Sequence, residues 1–244
     1  MNIILSSMHS IQDAIRTMYM SKRSWTPEKE AWLRDLCDAS TDRHGKPLPD
    51  CPEEFKVECA KLFKWGQKHI TMLRFLDLSV IVEGLHRGAT DDFDAHAKRL
   101  ENRIIRSSTR LADYTLGEMS DWYKGKIIPY DMAFDMLGID NLPASIRADN
   151  DIEYVRTTNG YIRADLANNR DVKRGLYMLS IPMTFTFKVN VVELAHIYRE
   201  RGMKSGGAHG TAAPELQEMM EKLMDQVGKW YPWITREWLL TICN

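Results

Sequence analysis

Thr184-Phe185-Thr186-Phe187-Lys188-Val189, followed at once by Asn190-Val191-Val192-Glu193, is the stretch on which the fold turns. β-Branched and aromatic residues fill its first half, which suits a pleated, half-buried strand. Asn190 then offers a side-chain oxygen to the free N–H groups of a first helical turn. Glu193, three positions on, completes a capping-box-like pair. A strand running directly into a capped helix is therefore expected here, with the helix continuing to Arg201.

Beyond that helix, Ser205-Gly206-Gly207-Ala208-His209-Gly210 reads as a flexible connection. A last helix starts near Pro214 and buries Leu216, Met219, Met220, Leu223, Met224 and Val227 on one face. Upstream, two β-type runs between Ile152 and Ala164 flank Asn159-Gly160, a hairpin signal. Leu76, Leu78, Val80 and Val82 follow an imperfect period of two, giving a strand expected to stop at Gly84. Asp91 or Asp92 is expected to cap a helix running through Ala95 and Leu100, and 104–110 reads as a loop. Glu53 to about Gly66 is helical. Residues 1–40 read as mostly helical from Ile11, Ala14, Ile15 and Met18, with a further helix opening at Thr26-Pro27. Pro47, Pro49 and Pro52 mark a surface loop, so residues 1–52 form an N-terminal helical extension and 53–244 the main domain. Helices around a few separated strands make the class α+β.

At 244 residues, with 33 basic and 34 acidic side chains and a net charge of −1, the chain can close a sizeable core. Its 44% hydrophobic and 27% charged content is that of a globular protein and unlike a disordered tail. No apolar run approaches the roughly 20 residues of a membrane span. The start, Met1-Asn2-Ile3-Ile4-Leu5-Ser6, lacks a basic flank before its short apolar stretch, which reads against a signal peptide. Cys37, Cys51, Cys59 and Cys243 have no Cys-x-x-Cys spacing; this argues against a structural zinc site and fits the reducing cytoplasm. Near-neutral charge removes the simplest argument for a nucleic-acid binder while leaving room for a local basic site.

Three arginine-bearing regions could carry chemistry. Asn190, Leu194, Ile197 and Arg201 share one helical stripe, and an arginine beside core aliphatics calls for an anionic or polar partner. The plainer alternative is a snorkelling side chain at a helix C-terminus. The segment 98–110 holds Lys98, Arg99, Arg103, Arg106 and Arg110 against the single acid Glu101, and it carries Ser107, Ser108 and Thr109. Hydroxyls and backbone N–H groups among arginines suit a phosphate, although a solvated basic face has the same composition. Arg174 precedes the apolar Leu176-Tyr177-Met178-Leu179 run. His69 and His196 say little singly. There is no metal-ligand spacing, Gly-rich phosphate loop or Gly-x-Ser-x-Gly elbow.

Taken together these residues resemble the flavin-dependent thymidylate synthases. In that family an Arg precedes an apolar run and a strand, then an Asn opens a helix with His or Asn in its middle and Arg at its end. Those positions read Arg174, Asn190, His196 and Arg201 here. The family signature, Arg-His-Arg followed after seven residues by Ser-x-Arg, has its tail in Ser108 and Arg110. Lys98-Arg99-Leu100 replaces its head, and Arg106 stands where a glutamate is usual. A gapped alignment instead uses Asn102-Arg103 as the basic pair. Lys68-His69-Ile70-Thr71 is similar to the family's Gly-His-x-Ser/Thr segment, with Arg74 in place of an acid. The resemblance spans residues 60–244 and is strongest from 170 onward.

The resemblance implies an α+β fold with a central, mostly antiparallel sheet flanked by helices, in a homotetramer whose sites are shared between subunits. It implies a methyltransferase of dTMP biosynthesis: a flavoprotein that holds FAD, is reduced by NADPH, and moves a one-carbon unit from methylenetetrahydrofolate to C5 of dUMP. Arg106, Ser107, Ser108, Arg110 and Arg174 would bind the substrate. Arg201 would bind the pyrimidine and act catalytically on its carbonyl. His69, Thr71, Arg74, Lys98, Arg99, Arg103, Asn190 and His196 would hold the cofactor, with no metal and no membrane partner. The altered signature leaves open hydroxymethylation, dCMP as substrate, or an inactive scaffold whose 98–110 segment binds nucleic acid. A structural or interaction protein would make use of the unmatched first 50 residues.

Overall fold

The computed structural model describes residues 1–94, 103–106, 121–138, 142–148, 151–158, 160–169, 172, 182–203 and 214–242. For 91, 92, 94, 103–106 and 131 it describes the backbone alone. Among these residues lie two four-stranded antiparallel sheets flanked by helices, an α+β architecture.

The larger sheet is built on β2 (Asp77–His86) and β8 (Pro182–Asn190), with β1 (Asn2–His9) outside β2 and β3 (Arg103–Arg106) outside β8. Along β8, Met183, Phe185, Phe187 and Val189 are buried while Thr184, Thr186 and Lys188 are exposed. The period of two read from the sequence is therefore one face turned into the core. Each of those phenylalanines, fully buried, contributes about 1.5–3 kcal/mol. Leu78, Val80 and Val82 of β2 line the same core with Ile3 and Leu5 of β1.

Helices α1 (Ile11–Ser21), α2 (Pro27–Ser40) and α3 (Glu53–Gly66) join this core. Thr26 caps α2 by accepting from the Lys29 N–H, with Pro27 in the first turn as expected. The Pro-rich loop after α2 is pinned down: Met8 N–H donates to the His44 carbonyl at 2.8 Å, and Tyr231 O–H to the Gly45 carbonyl at 2.8 Å. Gly45 has φ +76°, and a Cβ there would fall 1.8 Å from the Met8 carbonyl oxygen, so only glycine fits.

Four readings need correction. Asn2–His9 is a strand within the segment read as mostly helical, because β2 supplies it a full hydrogen-bonding edge. β2 continues past Gly84, which sits at a register shift with φ +82°, a bulge rather than a stop. Helix α4 (Arg87–Asp94) starts four residues before Asp91; its cap is the His86 imidazole, whose Nδ1 accepts from the Ala89 N–H at 2.7 Å. Residues 104–106, read as the start of a loop, belong to β3, with Arg103 opposite Lys188 and Arg106 opposite Phe185. An edge strand needs one partner only, so two isoleucines between arginines suffice.

The smaller sheet has the order β4 (Ile127–Pro129), β7 (Gly160–Arg163), β6 (Ile152–Arg156) and β5 (Ser145–Ala148), with α5 (Tyr130–Leu137) leaving β4. β6 and β7 are the expected hairpin. The helix opened by Asn190 is α6 (Val191–Ile197), continued by a wide π-turn over Tyr198–Gly202. Then come α7 (Pro214–Trp230), which buries the six apolar residues named for it, and α8 (Arg236–Thr241).

Candidate active site

Of the expected site residues that the structure describes, His69, Thr71, Arg74 and Asn190 belong to segments that meet at one end of the larger sheet, while His196 and Arg201 lie further along the helix that Asn190 opens. There the 3-10 turn Ile70–Phe75 enters β2, and β8 leaves into α6. Asp77 lies opposite Asn190 in the ladder, and Val191 N–H donates to the Leu76 carbonyl at 3.0 Å. The turn carrying Thr71 and Arg74, with His69 just before it, is thus fastened to the start of the helix carrying His196. Residues more than a hundred positions apart in the chain meet on neighbouring elements.

Each side chain has a local reason for its place. Asn190 is buried, and its Oδ1 accepts from Glu193 N–H at 2.9 Å, so that oxygen holds the β8–α6 junction. Glu193 is fully buried in the first turn of α6. His69, Thr71 and Arg74 are exposed, while His196 and Arg201 are half-buried. Gly66 lets the turn fold back on α3, since a Cβ there would meet the Leu73 side chain at 2.8 Å. Lys188 pairs with Asp77 at 2.7 Å, and Arg103 stands across from Lys188, so basic residues cluster at this end of the ladder. Arg106 lies three residues further along β3, about 10 Å away at the rise of an extended strand.

Arg201 does not sit on a plain α-helical stripe. Leu194 and Ile197 are buried on the face expected, but the helix widens from Tyr198, which resets the phase of the residues after it. The π-turn is tied to α7: Tyr198 O–H donates to Glu221 Oε1 at 2.9 Å, and Arg236 holds Glu221 and Asp225 at 2.7 Å each. Burial, then the Glu221 hydrogen bond, pushes the Tyr198 phenol up to about 12, so it stays a neutral donor. Gly202 lies under the Tyr198 ring, where a Cβ would come within 2.6 Å of it.

Ser107, Ser108, Arg110, Arg174, Lys98 and Arg99 lie outside the described residues, and of Arg103 and Arg106 only the backbone is described. Two side-chain pairings, one beside the site and one at the opposite end of β2, escaped sequence reading. Trp65 stacks on His69 with ring centroids 4.6 Å apart; their spacing of four residues was the available signal. His86 and Glu215, both buried, face each other at 3.6 Å, and nothing in their sequence positions couples them. A cleft of about 530 Å³ lined by Tyr19, Trp32, Glu54 and Glu58 among α1–α3 contains none of the expected site residues.

The donors presented here are an imidazole, a hydroxyl and a guanidinium, facing outward beside a helix start. They suit a ligand with phosphates and hydroxyls, and the set fits a dinucleotide such as FAD. Cys37, Cys51 and Cys59 are buried free thiols, and burial pushes Cys37 up to about 12 and Cys59 well above its ordinary value. Neither offers a ready thiolate. Among the described residues no group of His, Cys, Asp and Glu could hold a metal ion, and no helix is long and apolar enough to cross a membrane.

No family model and no curated protein sequence matches the chain. Solved structures do. Thymidylate synthase X (ThyX) from Helicobacter pylori, with FAD and dUMP, is similar at a TM-score of 0.53 and 14% identity, over 98% of this chain and all of that one. A second structure of that flavin-dependent enzyme, complexed with FAD and dUMP, gives 0.50 and 14% over 96% of this chain. The UMP/dUMP methylase PolB from Streptomyces cacaoi, bound with 5-Br dUMP, gives 0.50 at 10% identity over 97% of this chain and 93% of its own. At such identities it is the architecture that is shared: the chain has the fold of the flavin-dependent thymidylate synthases.

Proposed function

We propose that this chain is a flavin-dependent methyltransferase that transfers a one-carbon unit from methylenetetrahydrofolate to C5 of dUMP, giving dTMP. The observation that carries this reading is the fastening of the His69–Arg74 turn to the helix opened by Asn190, in a fold shared with proteins solved with FAD and dUMP. FAD, when bound, supplies the redox chemistry that side chains lack, with NADPH as its reductant.

The chain's own residues bind, orient and polarise. His69, Thr71, Arg74, Asn190 and His196 hold the cofactor, with Lys98, Arg99 and Arg103 toward its charged parts. Asn190 does so from a position fixed by its bond to Glu193. Arg106, Ser107, Ser108, Arg110 and Arg174 take the nucleotide's phosphate and sugar through charge-assisted, bidentate bonds. Arg201 faces the pyrimidine carbonyl and stabilises the negative charge that builds as C5 becomes nucleophilic. The buried, neutral thiols of Cys37 and Cys59 support a route without an attacking cysteine from that cluster. Assembly as a homotetramer completes the site.

The test uses the purified full chain. Its visible spectrum, before and after added FAD, should show bound flavin, and tritium should be released from C5-labelled dUMP when methylenetetrahydrofolate and NADPH are present. A protein that takes up no FAD and releases no tritium overturns the proposal.

A further inference from the structure

We propose that Trp65 is a positioning residue for His69, holding its imidazole in the orientation that meets the flavin, with Lys22 completing the stack. This rests on the cofactor role given to His69 above. Trp65 occupies the last turn of α3, partly buried against the main core, and His69 follows one turn later with its N–H donating to the Trp65 carbonyl at 3.2 Å. The two rings lie 4.6 Å apart, tilted by 30°. Lys22, at the C-terminal end of α1, places its ammonium 4.4 Å from the Trp65 ring centroid. Three elements thus converge on one indole. The imidazole on it remains exposed to solvent, free to touch a ligand.

The indole is engaged through its ring, not through its N–H. Trp65 Nε1 is buried, and among the described residues no hydrogen-bond acceptor meets it. A side chain kept for hydrogen bonding would not leave its donor so placed. What Trp65 offers is a rigid aromatic plane, on which a neighbouring ring prefers an offset stacked geometry and a cation gains from the quadrupole. An exposed histidine without that plane samples several rotamers, and ordering it on binding costs affinity.

The Phe variant separates this role from simple packing, because it keeps the plane and removes the buried donor. FAD affinity, by titration of the full chain, should weaken by up to about tenfold in Trp65→Leu and stay within about twofold of the parent in Trp65→Phe. His69→Ala should weaken FAD as much, and Trp65→Leu/His69→Ala no more than His69→Ala alone, since the two residues act as a unit. By NMR, the His69 Cε1 proton, assigned with His69→Ala, should show the ring-current shift of a stacked imidazole in the parent protein and in Trp65→Phe. That measurement needs no leucine variant and holds if Trp65→Leu does not fold. Additive losses in the double variant, loss of FAD binding in Trp65→Phe, or an unshifted His69 proton overturns the positioning role. Parental FAD affinity in His69→Ala overturns the flavin assignment of His69 and the positioning role together. A shifted proton in that case shows that the stack exists and that the cofactor reading is what failed.

Discussion

His86 Nε2 lies 3.6 Å from Glu215 Oε2 with both side chains almost completely buried, and the His86 backbone N–H points at the same oxygen at 3.4 Å. Because Nδ1 accepts from Ala89 N–H, the proton of a neutral His86 ring sits on Nε2, toward the carboxylate. The pair joins the start of α4 to the first turn of α7, and the Tyr123 ring stacks on the imidazole at 4.7 Å. Glu215→Ala removes the carboxylate that faces both donors and should cost about 3 kcal/mol. Glu215→Gln, which keeps an acceptor, should cost less. Urea denaturation checks this: the midpoint should fall in that order at constant slope.

Arg201→Lys keeps the charge and loses the planar fork. If Arg201 faces the pyrimidine carbonyl, tritium release should fall by roughly tenfold or more, with FAD still bound. Turnover equal to that of the parent would mean the arginine does not touch the reacting ring.

Asn190→Ala strips the cap from α6 and should lower stability by about 1 kcal/mol. Since Asn190 stands at the junction that brings the His69–Arg74 turn to α6, FAD affinity should fall too. An Asn190→Asp variant keeps the capping oxygen and should recover most of the stability. Thermal unfolding and FAD titration on the three proteins test the two roles separately.

The buried thiols predict a pH dependence. Cys37 is raised to about 12 by burial, against about 8.5 in an unfolded chain. The folded state therefore holds this proton more tightly, and its contribution to stability is intact below about pH 8.5 and is lost as pH climbs toward 12. Cys59 acts in the same direction. Thiol-specific alkylation at pH 8 should leave both cysteines unmodified in the native protein and label them in urea. Cys37→Ala/Cys59→Ala should flatten the alkaline loss of stability.

Much of the fold was legible because its signals are local. The β8–α6 junction shows as a β-branched run ended by Asn190 and Glu193, and the buried stripe of α7 follows from helical spacing alone. β1 was not legible, since exposed Ile4 sits between buried Ile3 and Leu5 and blurs the alternation, and its partner strand begins at Asp77. β3 was hidden by arginines at both ends, which composition reads as solvated. In the site, a single motif could suggest His69 and Asn190 individually. That their segments are joined depends on Leu76 meeting Val191, a pairing with no signature in either segment. Trp65 belongs to no motif; its spacing of four from His69 permits a contact, and the folded chain puts the two rings together.

The wide turn at Tyr198–Gly202 has a consequence for how this chain tolerates change in length. Such a turn spaces its hydrogen bonds five residues apart where an α-helix uses four. Deleting one residue there would restore the narrower coil and swing everything downstream through about 100°. Arg201 would lose its bearing although no atom of its own had been altered, so at this point the chain should accept no shortening.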